Sequence, residues 1–171
     1  MTAAFTLRQA TAADAEALAR GAVEGVADYP AFAPSGWTGP AYDTELEYTR
    51  VVLADPDYHC VVAEIGGGVV AQVTVVPAAK AARAVDDPSL GHLRNLYVDR
   101  SQWGSGLATA LMRAALEDAR ARGFAELRLV VAEEQARARR FYEREGWRAV
   151  GEPHFDPLPG LSMVEYRRPV G

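Results

Sequence analysis

Apolar and polar residues alternate over residues 5–8, Phe5-Thr6-Leu7-Arg8, which is the period-two signature of a short strand. Thr11-Ala12-Ala13-Asp14 then supplies a helix start ahead of a helix-forming run over 15–26. A second helix is predicted over 43–53, where Leu46, Arg50 and Leu53 recur at helical spacing and Asp55-Pro56-Asp57 ends the run. Two β-rich runs, His59–Ile65 and 69–76, flank Gly66-Gly67-Gly68 and read as an antiparallel hairpin. Residues 80–91 read as a loop, with an extension of the flanking strands into it left open, and 92–98 as a further strand. The clearest helix lies over 107–122: Ala108, Met112, Ala115, Leu116 and Ala119 form an apolar stripe, Arg113 and Glu117 stand i,i+4, and Gly123 stops it. A strand over 125–132, a helix over 134–145 closed by Gly146, and extended segments over 147–155 and 161–168 complete the chain. The order β-α-α-β-β-β-α-β-α-β-β, with a β-α-β crossover between 92 and 131, predicts an α/β fold: a mixed sheet with helices on its faces.

Composition narrows what such a fold does. The 171 residues match one domain, read as 1–171, and 49% hydrophobic with 24% charged residues fits a chain that buries its own core. Eighteen basic against 23 acidic side chains leave a net charge of −5, which argues against a nucleic-acid partner bound through its phosphates. The single cysteine, Cys60, excludes an internal disulfide framework and any multi-cysteine metal site, and three scattered histidines make no metal constellation, so no metal is expected. The N-terminus lacks a cationic segment followed by a long apolar one, and no window reaches the ~18 apolar residues of a spanning helix. A cytoplasmic protein with no membrane partner is the expectation.

Chemistry concentrates after the fourth predicted strand, in Asp99-Arg100-Ser101-Gln102-Trp103-Gly104-Ser105-Gly106-Leu107-Ala108. Two glycines let the main chain approach a bulky anion, and the unpaired N–H groups of the following helix start favour negative charge, so the turn suits a phosphate. Neither common nucleotide signature fits: Gly-x-x-x-x-Gly-Lys-Ser/Thr is absent, and the position for a third glycine holds Thr109. Thirty-two residues after Trp103 comes Gln135-Ala136-Arg137-Ala138-Arg139-Arg140-Phe141-Tyr142-Glu143-Arg144-Glu145-Gly146-Trp147.

Together the two segments resemble the GNAT family of N-acetyltransferases, whose acetyl-CoA loop reads Gln/Arg-x-x-Gly-x-Gly/Ala and whose later helix reads Asn-x-x-Ala-x-x-Phe/Leu-Tyr-x-x-x-Gly-Phe. Trp103 through Ala108 aligns with the first pattern and Gln135 through Trp147 with the second; Trp103 replaces Gln or Arg, and Gln135 replaces Asn. The resemblance implies a single-domain, mostly antiparallel sheet of about seven strands, flanked by about four helices, with splayed central strands. It implies acetyl-CoA as cosubstrate, its pyrophosphate on the main chain of Trp103, Gly104, Ser105, Gly106, Leu107 and Ala108 with Thr109 close by, and its pantetheine along Leu96 and Val98. Gln135 falls in the same site.

By the same resemblance Tyr142, one helical turn after Ala138, is the general acid that protonates the departing thiolate; a phenol of pKa ~10 keeps its proton at pH 7. An alkylammonium acceptor must lose a proton before it attacks, and His92, at the start of the fourth strand, is the candidate base, with Asn95 or a main-chain carbonyl acting through water as alternatives. Arg137, Arg139, Arg140 and Arg144 either form a solvated face or touch the adenosine phosphate of the cofactor. By the resemblance, the aromatic stretch from Tyr29 to Tyr42 and residues 154–157 line the acceptor cleft, where they can hold an organic cation or an aromatic amine; the alternative is that they pack a loop onto the sheet. The acceptor is a small-molecule amine or a peptide amine, the former favoured. The rival reading is a non-catalytic acyl-CoA-binding regulatory module. Many family members are dimers, which leaves a homodimer open.

Overall fold

The computed structural model describes residues 4–171; the first three residues of the segment read for a leader lie outside them. Seven strands and four α-helices follow in the expected order: β1 (Thr6–Gln9), α1 (Ala15–Glu24), α2 (Tyr42–Ala54), β2 (His59–Ile65), β3 (Gly68–Pro77), β4 (Leu90–Val98), α3 (Leu107–Ala121), β5 (Glu126–Ala132), α4 (Ala136–Arg144), β6 (Arg148–Asp156) and β7 (Leu161–Pro169). They form one open sheet in the order β1-β2-β3-β4-β5-β7-β6, in which only β4 and β5 are parallel. That exception is the β4-α3-β5 crossover, since a helix must carry the chain back before a parallel strand can pair.

Of the predicted α3 stripe, Met112, Ala115 and Ala119 are buried, joined by Leu107 and Leu111, while Ala108 and Leu116 are only half-buried. The helix packs with α4 on one sheet face, against Val73, Val75, Leu93, Leu127 and Leu129. On the other face α1 buries Leu18 beside Cys60 and Val62. The i,i+4 ion pair of α3 is Asp118 with Arg122 at 3.1 Å rather than Arg113 with Glu117; Asp118 also holds His59 Nδ1 at 2.6 Å, which ties β2 to the helix.

β4 begins two residues earlier than its sequence pattern suggests, because Leu90 and Gly91 pair with Glu126 and Leu127. Gly91 has no room for a side chain: a Cβ there would stand 2.5 Å from Leu127 Cδ2 and 3.0 Å from Phe124 Cδ2, and Leu127 is fully buried. Gly91→Ala is therefore expected to lower unfolding free energy by about 1–3 kcal/mol through overpacking, read by urea denaturation. Unchanged stability would show that the sheet and α3 yield there.

Candidate active site

The parallel pairing of β4 and β5 covers only Leu90, Gly91 and His92 against Glu126, Leu127 and Arg128. Beyond that rung the strands part. On the other side of β4 the register against β3 slips between Gln72 and Thr74, and Asn95 takes φ 53°, a left-handed conformation that a residue with a side chain adopts rarely. The bulge and the parting leave Leu96, Tyr97 and Val98 along a cavity of about 570 Å³, whose other walls are the β4–α3 loop, the start of α4 and the end of α1.

The loop is built to leave main-chain donors free. Asp99 Oδ1 accepts the Ser101 N–H at 2.8 Å and its Oγ at 2.6 Å, which starts the turn. Gly104 and Gly106 follow with φ of 82° and 88°, where glycine is needed for the conformation and not for room, since a Cβ at either would meet nothing within 4 Å. The amides of Gln102, Trp103 and Ser105 are engaged inside the loop, on the carbonyls of Asp99, Arg100 and Gln102, and the Leu107 N–H lies 3.4 Å from Ser105 Oγ. The amides of Gly104, Gly106, Ala108 and Thr109 have no protein acceptor among the described residues. Four donors thus converge at the N-terminus of a 15-residue helix, where the macrodipole adds to their pull on an anion. Of the amides expected to meet the cofactor, those of Trp103, Ser105 and Leu107 are thus engaged internally. Thr109 has a second task, its hydroxyl donating to Glu145 Oε1 at 2.9 Å and joining α3 to α4.

Trp103 folds back so that its indole N–H donates to the Val98 carbonyl at 2.9 Å, which engages an oxygen expected to serve pantetheine. Its ring meets two cations, with the Arg137 and Arg100 guanidinium carbons 3.1 Å and 5.2 Å from the centroid. Arg100 also pairs with Asp28, beyond α1. Arg140 and Arg144 line the same cavity, whereas Arg139 turns away to Tyr166 Oη at 3.0 Å and the Glu133 carbonyl at 2.9 Å. The arginine helix is thus split between a cationic cavity mouth and a structural anchor. Gln135 stands at the N-cap of α4 and lines the cavity, its side chain making no capping hydrogen bond.

Tyr142 reaches the same cavity from α4, with Ala138 one turn before it. Its ring packs against Phe141, Trp147 and Tyr166 at centroid distances of 5.6, 6.0 and 6.2 Å, and its hydroxyl makes no hydrogen bond to the protein. Burial pushes the phenol above its ordinary 10, so it remains a proton donor throughout the neutral range.

His92 does not line this cavity. It stands on the other face of the sheet, where Arg128 Nε donates to its Nδ1 at 3.3 Å. Burial, then Arg128 and Arg94, push the imidazole from 6.5 down to about 3. The ring stays neutral at pH 7, as expected, yet a base that weak takes a proton from an alkylammonium only against about 7 pKa units. A folded-state value below the unfolded one means that His92 favours the folded protein above pH 6.5 and that this contribution is lost as pH falls toward 3. His92→Gln is therefore expected to make melting temperature fall less steeply than in the wild type between pH 6.5 and pH 4; parallel curves would show that the imidazole is not held neutral.

The aromatic stretch packs largely on itself: Tyr29 lies 5.0 Å from Phe32 and 5.8 Å from Trp37, and the Trp37 indole N–H donates to the Pro159 carbonyl at 2.7 Å. That bond ties the α1–α2 loop to the β6–β7 hairpin. Arg128 was not singled out by sequence reasoning, although a lone arginine inside Leu127-Arg128-Leu129-Val130-Val131 is a signal that a buried strand carries a charge for a reason.

A family model for the acetyltransferase (GNAT) family matches residues 24–147. The chain belongs to the GNAT acetyltransferase family. The match spans the whole cavity wall, from the end of α1 to Trp147, and the fold has the seven-stranded open sheet of GNAT structures. A GNAT family protein from Desulfovibrio desulfuricans superimposes with a TM-score of 0.75 at 23% identity, over 98% of this chain and 100% of that one. A Salmonella typhimurium protein solved with its cofactor acetyl-CoA gives 0.70 at 18% identity, over 98% and 95%. In sequence, 116 residues are 36% identical to N-acetyltransferase 8 of Mus musculus, covering 64% of this chain and 48% of that protein. The chain spans about half the length of the curated relatives it matches. Within the described residues, no helix of this GNAT chain is long and apolar enough to cross a membrane, and no group of three or more His, Cys, Asp and Glu could hold a metal ion.

Proposed function

We propose that this GNAT chain is an acetyl-CoA-dependent N-acetyltransferase that moves the acetyl group directly to a primary amine, with a small-molecule amine favoured over a peptide. The observation that carries the reading is the convergence of four unengaged amides, those of Gly104, Gly106, Ala108 and Thr109, and one unengaged phenol, Tyr142, on a single cavity.

These residues fit the cofactor by their chemistry. A diphosphate asks for several N–H donors on small residues, which the loop supplies, and charge-assisted bonds to it are stronger than neutral ones. Arg137, Arg140 and Arg144 add cations where the cofactor's remaining phosphate would lie, and the unpaired edge of β4 at Leu96 offers main chain to its amide-bearing arm. When bound, acetyl-CoA supplies a thioester whose acyl carbon accepts the nitrogen and whose sulfur departs as a thiolate. Tyr142 gives its proton to that sulfur, from a hydroxyl held neutral by burial. Gln135 positions the start of α4, and with it the phenol. Deprotonation of the incoming ammonium is assigned to water on the acceptor side, with Asn95 and nearby main-chain carbonyls as relays; His92 accepts a hydrogen bond from Arg128 and stays outside the proton path. The reading includes no metal, no nucleic-acid or membrane partner, and a cytoplasmic setting; a sizing column tests the homodimer.

The test is thiol release from acetyl-CoA across a panel of amines, with acetyl-CoA binding measured in parallel. Amine-dependent release is expected. Tight binding with no release for any amine would make the chain the regulatory acyl-CoA-binding module instead.

A further inference from the structure

Arg128 is a buried cation at the centre of β5 with no carboxylate within 4 Å, although the residue is only 2% exposed. Its guanidinium donates to two neutral groups, Nε to His92 Nδ1 at 3.3 Å and Nη2 to the Arg83 carbonyl at 2.6 Å, and Nη1 has no partner among the described residues. Arg94, two residues after His92 on β4, is only half-buried; it donates to the Tyr48 hydroxyl and lies 4.8 Å from the Tyr48 ring, and it too has no carboxylate within 4 Å among the described residues. The neighbouring arginines do have counter-charges: Arg167 meets Glu126 at 3.0 Å and Glu165 at 2.7 Å, and Arg83 meets Asp156 at 3.8 Å. Burying an ion without a partner is costly; His92 beside it is held neutral first by its own burial and only then by Arg128 and Arg94.

The position of the two cations gives them a use. His92 and Arg128 form the last paired rung before β4 and β5 part, so Arg128 stands at the floor of the gap. Residues two apart on a strand share a face, which puts Arg94 with His92 and Arg128, opposite the face covered by α3 and α4. With the acyl donor entering from the cavity side, this is the face from which a nitrogen reaches the gap.

We infer that the acceptor is an amine that also carries an anionic oxygen group, held by Arg128 and Arg94 while its nitrogen enters the gap between β4 and β5. The inference rests on the transferase reading. A guanidinium fork matches carboxylate and phosphate oxygens alike, so both are admitted, and an oxyanion there supplies the missing counter-charge. Polycationic amines are repelled by the same pair.

The experiment measures kcat/KM, referred to the neutral amine, for matched acceptors: amino acids against their carboxamides, and aminoalkyl phosphates against the corresponding aminoalcohols. The wild type is expected to prefer the anionic member of at least one pair by about tenfold or more, and the pair that shows it identifies the group. Arg128→Met and Arg94→Met are expected to raise KM for that acceptor by about tenfold or more, leaving its neutral partner and acetyl-CoA affinity unchanged. Arg128→Lys should restore part of the preference, and with Arg94→Met it carries the test if Arg128→Met does not fold. Equal use of anionic and neutral acceptors by the wild type, or equal losses for both in the variants, would overturn the inference while leaving the transferase reading intact. Absence of transfer to every amine in both sets would instead remove the transferase reading on which it rests.

Discussion

Replacing Tyr142 by phenylalanine is expected to lower turnover by about 10²-fold or more while leaving acetyl-CoA affinity close to that of the wild type. The substitution keeps the ring, and with it the packing against Phe141, Trp147 and Tyr166 that fixes α4 on the sheet. It removes one oxygen that makes no hydrogen bond to the protein, so no buried partner is orphaned and the fold should not suffer. What disappears, on the proposed mechanism, is the proton for the departing sulfur. The effect should therefore fall on kcat and be largest for amines whose attack leaves the thiolate most fully charged. Isothermal titration with acetyl-CoA, alongside thiol-release kinetics, separates the two quantities. Undiminished turnover would take the acid role from Tyr142, and an equal loss of binding would make the residue a structural one.

Gly106→Val should weaken acetyl-CoA binding by about 10²-fold, which corresponds to roughly 2.8 kcal/mol. Gly106 holds φ 88°, and a β-branched side chain there is strained. The left-handed conformation alone costs an ordinary L-residue about 1–2 kcal/mol. Relief of that strain rotates the peptide planes on either side, and the amides of Gly106 and Ala108 leave the cradle. Each hydrogen bond to a charged group is worth about 1.5–3 kcal/mol, so losing either reaches the expected size. The fold should tolerate the change better than binding does, because a Cβ at this position meets nothing within 4 Å. Calorimetry should thus show a large rise in Kd with a small fall in melting temperature. A wild-type Kd would contradict the main-chain cradle.

The fold was legible because each long element carries its own period. The α3 helix and the paired runs around Gly66-Gly67-Gly68 needed no tertiary information and formed as read, although the buried face of α3 is centred nearer Leu111 than the predicted stripe. The start of β4 stayed open in sequence because Leu90 and Gly91 sit beside turn-forming Asp87-Pro88-Ser89, and only pairing with β5 settles them as strand. The cradle was legible as a place but not as a set of donors. Nothing local reveals that Trp103 and Ser105 turn their amides inward and leave Gly104, Gly106, Ala108 and Thr109. His92 shows the limit most clearly. Its position at the strand start followed from counting, but its basicity depends on Arg128, 36 residues away and brought alongside by the parallel rung. The contact of Arg137 with the Trp103 ring is of the same kind, bringing together residues 34 apart in the chain and making an apparent departure from the family pattern part of the cavity mouth.

The central claim is that main-chain amides at the β4–α3 bend hold the cofactor's diphosphate. It is tested most directly by following the amide proton and nitrogen resonances of the loop while acetyl-CoA is added. Saturable shifts of the Gly104, Gly106, Ala108 and Thr109 amides, larger than those of Trp103 and Ser105, are the predicted result. Saturated binding with those four resonances unmoved would contradict the account.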